Sequence, residues 1–79
     1  MIRVKVKYIQ LSRAVEAKEE DFLLPPGSHY SDLLAAVLKK HPSLTYVVML
    51  ALMNGLPPAP ATELRDGEEI DFLASPTGG

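Results

Sequence analysis

A single segment of helical period lies among several of strand period, and this arrangement limits the folds open to the chain. In residues 28–42, SHYSDLLAAVLKKHP, apolar side chains recur at helical spacing, Ser28 or Ser31 and Asp32 mark the start, and Pro42 marks the end. The apolar face consists of Tyr30, Leu33, Leu34, Val37 and Leu38. A chain of 79 residues forms one small domain, and a lone helix buries its apolar face only against a sheet. The spacing therefore predicts an α+β fold.

Strand patterns surround this helix. Residues 1–9, MIRVKVKYI, alternate between apolar and basic side chains, which is typical of a half-buried strand. Residues 10–20 are polar and mixed, and predict a loop or a short helical turn. Residues 21–24, DFLL, predict a second strand that ends at a Pro-Pro-Gly turn, so the two strands form a hairpin.

The second half of the chain predicts two or three further strands. Residues 45–53, TYVVMLALM, form a nearly continuous apolar run, which favours a central strand buried on both faces. Residues 56–61, LPPAPA, permit at most a short edge strand or an extended loop because proline lacks an N–H. Residues 68–74, EEIDFLA, follow an Asp-Gly turn and alternate again. We expect Phe72 to be buried against the helix and Leu73 to face the other way.

Composition excludes several functions. The net charge is −2, with 8 basic and 10 acidic residues interleaved, so the chain lacks the basic surface that nucleic acid or an anionic membrane requires. It has no cysteine, and hence no disulfide or thiol nucleophile. His29 and His41 lack neighbouring ligands at metal-binding spacing and predict solvated or capping roles. The alternating first residues are unlike a secretory leader, which predicts a cytoplasmic protein.

The C-terminus resembles a known family. The order of elements, the T-x-L-x-D-G turn at residues 62–67, the strand EEIDFLA and the Gly78-Gly79 end are similar to the ubiquitin-like sulfur carriers, in particular to the molybdopterin synthase small subunit. The helical segment DLLAAVLKKHPSL at 32–44 also resembles that family. This chain has a single proline, Pro76, where the family commonly has a proline pair. The resemblance implies a β-grasp fold with a mixed sheet of four to five strands and one main helix packed across one face. Residues 1–74 are then the domain and 75–79 a flexible tail.

The resemblance also implies a mechanism. A ubiquitin-activating-type enzyme adenylates Gly79 with ATP, and a sulfur donor converts it to a thiocarboxylate. The large subunit of molybdopterin synthase, expected to form a heterotetramer with this chain, then receives the sulfur for the pterin precursor. Gly78 fits a narrow channel because it has no Cβ. The chain itself binds no cofactor or metal and is a carrier rather than an enzyme. The residues expected to bind partners are Leu56, Leu73, Ser75, Pro76 and Thr77.

Other functions fit the same sequence. A related carrier for thiazole, tRNA or another metabolite has the same thiocarboxylate and a different acceptor. A ubiquitin-like modifier has Gly79 joined to lysines of other proteins. A β-grasp binding module with an idle tail needs no Gly79 at all, and removal of this residue distinguishes it from the others.

Overall fold

A computed structural model describes residues 1–75. The chain forms strand β1 (Ile2–Ile9), strand β2 (Glu19–Leu24), helix α1 (Tyr30–Lys40), a 3₁₀ helix (Pro42–Tyr46), strand β3 (Met49–Leu52) and strand β4 (Glu69–Ala74). The strands form one sheet in the order β2-β1-β4-β3, in which β1 and β4 are parallel and the other pairs antiparallel. The predicted α+β fold with a mixed sheet and one main helix is confirmed.

Helix α1 begins and ends close to the predicted positions. Its N-cap is His29 rather than a serine, and the backbone N–H of His29 donates to the Asp32 carboxylate at 2.8 Å. Ser28 is buried instead, and its hydroxyl donates to the Pro25 carbonyl at 2.7 Å. At the other end His41 is the C-cap, and its backbone N–H donates to the Val37 carbonyl.

The core lies between this helix and one face of the sheet. Leu33 and Val37 are fully buried in the helix, and the alternating apolar side chains of β1 and β4 meet them. Phe72 is also fully buried, as predicted, between the rings of Tyr8 and Tyr30 at centroid distances of 6.3 and 6.5 Å. The second face of the sheet carries no helix among the described residues.

The apolar run at residues 45–53 does not form a central strand, so that prediction is wrong. Only Met49–Leu52 are a strand, and it lies at the edge of the sheet. Pro42–Tyr46 form the 3₁₀ helix before this strand, and this helix buries Leu44. The central place beside β1 belongs to β4 instead. A continuous apolar run does not by itself identify burial on two faces, and here Val48 and Leu50 remain exposed.

A regular fifth strand is absent from residues 1–75. Asn54 and Gly55 form a tight turn with φ of 53° and 81°, the left-handed conformation that such turns require. This turn brings Leu56 opposite Met53 in a single bridge. The prolines of the LPPAPA segment then stop the ladder because they have no N–H to donate.

The loop between β1 and β2 contributes to the core, which its polar composition did not predict. Leu11 and Val15 are only 4% and 3% exposed. The backbone N–H groups of Ala14 and Val15 donate to the Leu11 carbonyl, so the segment forms a short turn. Across residues 1–75, no helix combines the length and apolar character that spanning a membrane requires.

Candidate functional site

The point where the C-terminal arm leaves the sheet is fixed by a hydrogen bond. The backbone N–H of Ser75 donates to the Val48 carbonyl at 3.0 Å, which continues the β3–β4 ladder one residue beyond β4. Pro76, Thr77, Gly78 and Gly79 follow and lie outside the described residues, so the roles assigned to them stay predictions. Because Pro76 has no N–H, it has no donor with which to extend this ladder.

An apolar row crosses the uncovered face of the sheet beside this exit. Leu73 of β4 lies between Ile9 of β1 and Leu50 of β3 in the strand register. Val48 lies two residues before Leu50, opposite Ser75, and is 60% exposed. Ile9 and Leu50 are 37% and 43% exposed. We call Ile9, Val48, Leu50 and Leu73 the apolar row, which gives a partner an uncharged contact at the base of the arm.

Charged side chains occupy the same face farther from the arm. Lys7 and Glu69 form an ion pair at 3.5 Å, and Lys5 lies 3.9 Å from Glu19. All four side chains are about half exposed, so these pairs contribute little stability. Lys5 and Lys7 thus lie on a solvated part of the sheet.

Asp71 lies between the apolar row and these ion pairs. Its Oδ1 atom is buried and has no hydrogen-bond partner within residues 1–75. Burial raises the pKa of the Asp71 carboxyl, and Glu69 raises it further through a hydrogen bond and its negative charge, against the opposing charge of Lys7. The folded domain therefore binds a proton at Asp71 more readily than a solvent-exposed aspartate does.

Leu56, which is expected to bind partners, does not lie beside the base of the arm. Met49 is opposite Ala74, whereas Leu56 is opposite Met53 at the other end of β3. Four residues of strand separate Met49 from Met53, a distance of about 13 Å. Leu56 is 71% exposed, and its role in partner binding stays a prediction.

A second polar cluster joins the end of α1 to β2 on the helix side. Glu20 accepts a hydrogen bond from the Tyr8 hydroxyl at 3.1 Å, and its Oε1 lies 2.9 Å from His41 Nε2. Lys40 Nζ lies 3.4 Å from the other carboxylate oxygen. Burial acts to raise the pKa of Glu20, but the hydrogen bonds from His41 and Tyr8 and the charges of His41 and Lys40 outweigh it and lower the pKa. We assign this cluster to stability rather than to the site.

Both histidines therefore have positions at the helix ends, and His41 has a carboxylate partner that sequence spacing did not reveal. Within residues 1–75, no group of three or more histidine, aspartate or glutamate side chains is arranged to hold a metal ion. Met49 and Met53 pack against the core.

Three members of the apolar row were not predicted from the sequence: Ile9, Val48 and Leu50. A signal for Ile9 was present, because by alternation it belongs to the side of β1 that carries Arg3, Lys5 and Lys7. Because the rest of this face is basic, Ile9 predicts an exposed apolar side chain at the end of β1. The exposure of Val48 and Leu50 was not predicted, because residues 45–53 were interpreted as a strand buried on both faces.

Comparisons with known proteins place this geometry in a family. The structure resembles a Pyrococcus furiosus structure described as molybdopterin converting factor, subunit 1, with a TM-score of 0.86 and 25% identity, covering 94% of this chain and 98% of that one. It also resembles the H. volcanii small archaeal modifier protein 1, with a TM-score of 0.81 and 18% identity, covering 94% and 98% of the two chains. No family model matches the chain.

The fold and the C-terminal strand thus define the class of ubiquitin-like β-grasp carriers, as predicted. The chain is 31% identical over 83 residues to the molybdopterin synthase sulfur carrier subunit of Chlamydomonas reinhardtii, covering 99% of this chain and all of that protein. It belongs to the family of molybdopterin synthase sulfur carrier subunits. The predicted function of a sulfur carrier is confirmed at this level, and membership implies a large-subunit partner.

Proposed function

We propose that this chain carries sulfur on the carboxyl group of Gly79 and donates it to the pterin precursor during molybdopterin synthesis. The observation that carries the proposal is the full-length similarity to a molybdopterin synthase sulfur carrier subunit. The Gly78-Gly79 end and the exit of the arm beside the apolar row support it.

The proposed chemistry has two steps before transfer. A carboxylate oxygen of Gly79 attacks the α-phosphorus of ATP, and pyrophosphate leaves to give an acyl-adenylate. A hydrosulfide-level sulfur from the donor then attacks the terminal carbonyl, and AMP leaves with the electron pair of the broken C–O bond. The product is a thiocarboxylate, a sulfur nucleophile that needs no cysteine in this chain.

Both steps take place in the active sites of partners. The adenylating enzyme, of the ubiquitin-activating type, supplies the ATP site, and the large subunit receives the arm in a heterotetramer. This chain supplies the reacting carboxyl group, the Gly-Gly end that passes through a narrow channel, and no bound cofactor. We place these steps in the cytoplasm.

The apolar row is the proposed docking surface. Its position at the base of the arm allows a partner to hold the domain while Gly79 enters the partner's site. Ser75 is tied to Val48 of this row, so contact with the row also sets where the arm begins. Burial of Leu50, Val48 and Ile9 removes exposed apolar surface and favours association.

Mass spectrometry tests the proposal. The full chain is incubated with ATP, the adenylating enzyme and a sulfur donor, and the C-terminal peptide is mapped. Because exchange of oxygen for sulfur nearly matches oxidation of one of the three methionines, the added mass must lie on Gly79 and react with a thiol alkylator. A chain lacking Gly79 is the control. An unmodified tail, under conditions that thiocarboxylate another carrier, would refute the proposal.

A protein modifier is the second candidate, favoured by the structural similarity to the small archaeal modifier protein 1. This function joins the Gly79 carboxyl to lysines of other proteins after the same adenylation. Conjugates that survive denaturation and depend on Gly79 would support it. A thiocarboxylate without such conjugates would support the sulfur carrier alone.

A further inference from the structure

The outer edge of β3 carries main-chain groups that the fold does not use. Because the Val48 carbonyl accepts from Ser75, the main chain of Val48 faces β4, and alternation directs Met49 and Ala51 outward. Within residues 1–75, no backbone hydrogen bond meets these outward groups. Met53 also faces outward, but its N–H and C=O are paired with Leu56 at 2.8 and 3.1 Å.

A groove lies directly beneath this edge, between β3 and α1. It has a volume of about 360 Å³. Leu34 and Leu38 line its helix side, Met49 and Ala51 line its strand side, and Phe72 lies at its base. None of the described residues that line it is charged. The residues with unused main-chain groups therefore also form one wall of an apolar groove.

This combination matches the requirements of a peptide that adds as a strand. Main-chain pairing gives such a peptide its affinity, and pockets for alternate side chains give its specificity. The 3₁₀ helix closes one end of the edge and Leu56 closes the other, so only a short extended segment fits. The uncharged lining selects a segment with apolar side chains at alternate positions.

The arm indicates which protein supplies this segment. Four residues follow Ser75, and they reach at most about 13–14 Å beyond it, while Ser75 itself is hydrogen-bonded to the Val48 carbonyl. A protein that receives Gly79 must therefore lie against the corner formed by the arm and β3. Val48 also lines the groove, so the groove is continuous with the base of the arm.

We propose that the outer edge of β3 is a strand-addition site for the large subunit. A short, uncharged, extended segment of that subunit pairs with Met49 and Ala51 and places alternate apolar side chains in the groove. This inference rests on the proposed function, because it takes the large subunit as the protein that receives the arm. It adds a main-chain contact on the edge of the sheet to the apolar row on its face.

Proline substitution tests the main-chain pairing. Ala51→Pro removes an outward N–H and leaves the hydrogen bonds between β3 and β4 in place, since proline is tolerated at such edge positions. Asp21→Pro is the matched control, because the register directs Asp21 outward on the opposite edge of the sheet. We expect Ala51→Pro to weaken binding of the large subunit at least tenfold by calorimetry, while Asp21→Pro and the unsubstituted chain bind alike.

Thiocarboxylation of the same proteins separates this inference from the proposed function. Failure of the unsubstituted chain to become thiocarboxylated or to bind the large subunit would overturn the proposed function and this inference with it. Normal thiocarboxylation of Ala51→Pro with weakened large-subunit binding is the expected result. Binding of a folded Ala51→Pro chain at the unsubstituted affinity would overturn the inference alone.

Amide hydrogen exchange of the unsubstituted chain tests the site without a substitution that could unfold it. The Met49 and Ala51 amides should exchange at least tenfold more slowly in the complex, whereas the Asp21 amide should not change. Unchanged exchange at Met49 and Ala51 would overturn the inference. Protection that depends on the concentration of the carrier alone would assign the edge to a second copy, and would equally overturn it.

Discussion

The length of the C-terminal arm offers the most direct test of how the structure serves the chemistry. Ser75 is tied to Val48, so the arm begins at Pro76 and contains four residues. At about 3.4 Å per extended residue, it reaches about 13–14 Å, and deletion of Thr77 shortens this by about a quarter. A misplacement of about 1 Å at a reacting group already costs up to about 100-fold in rate. We expect the deletion to slow thiocarboxylation of Gly79 at least 100-fold, equivalent to about 2.7 kcal/mol.

The assay follows thiocarboxylate formation with time by intact-mass spectrometry, with the adenylating enzyme in limiting amount. The melting temperature should not change, because the buried core residues found among residues 1–75 lie between Val4 and Phe72. A length-restored variant, with Thr77 deleted and a glycine inserted after Ser75, should recover most of the rate. A deletion variant that reacts at the unsubstituted rate would refute the reasoning about reach. A length-restored variant that stays slow would assign the defect to the Thr77 side chain instead.

Three further predictions concern the domain itself. Phe72→Ala should lower the free energy of unfolding by about 3–5 kcal/mol in urea titration, whereas a loss below about 1 kcal/mol would contradict its central place in the core. Because the folded-state pKa of Glu20 is lowered, its carboxylate stabilises the fold above its ordinary pKa of 4.5. Glu20→Gln should therefore be less stable than the unsubstituted chain at pH 7, with a difference that shrinks as pH falls through the folded-state pKa. The pKa of Asp71 is raised, so Asp71→Asn should be more stable at pH 7 and lose that advantage below pH 3.8. Denaturant midpoints measured across pH check both carboxyl predictions, and a pH-independent difference would contradict either one.

Local pattern was sufficient where one physical requirement determined the residue type. In β1, burial of one face and exposure of the other produce strict alternation, and the structure assigns the faces as the pattern predicts. In α1 the spacing of Leu33 and Val37 reflects contact with a single sheet face. These elements could be predicted because their side chains experience the same environment along their length.

Pattern was insufficient where two requirements coincide in one segment. In residues 44–53, Leu44 fills the core from the 3₁₀ helix, and Met49 and Ala51 then pack against the core while Val48 and Leu50 face the open side. All are apolar, so the sequence resembles a strand buried on both faces. The contact of Glu20 with His41 was equally hidden, since the two residues are 21 positions apart and meet only when β2 packs beside the end of α1.

The exposed apolar residues follow from the same constraint that determines the fold. One helix covers one face of a four-stranded sheet, so the other face meets either solvent or a partner. The middle of that face carries ion-paired side chains suited to solvent, such as Lys7 and Glu69. Apolar side chains occupy the end from which the arm departs, where Leu73 lies between Ile9 and Leu50. At the opposite end of the same face, Leu23 of β2 lies opposite Arg3 and is also exposed. The isolated domain gains little stability from these apolar side chains, because the apolar row remains partly exposed. A carrier gains a contact that forms only when a partner receives its arm, and the grouping of Ile9, Val48, Leu50 and Leu73 at the base of the arm fits that use.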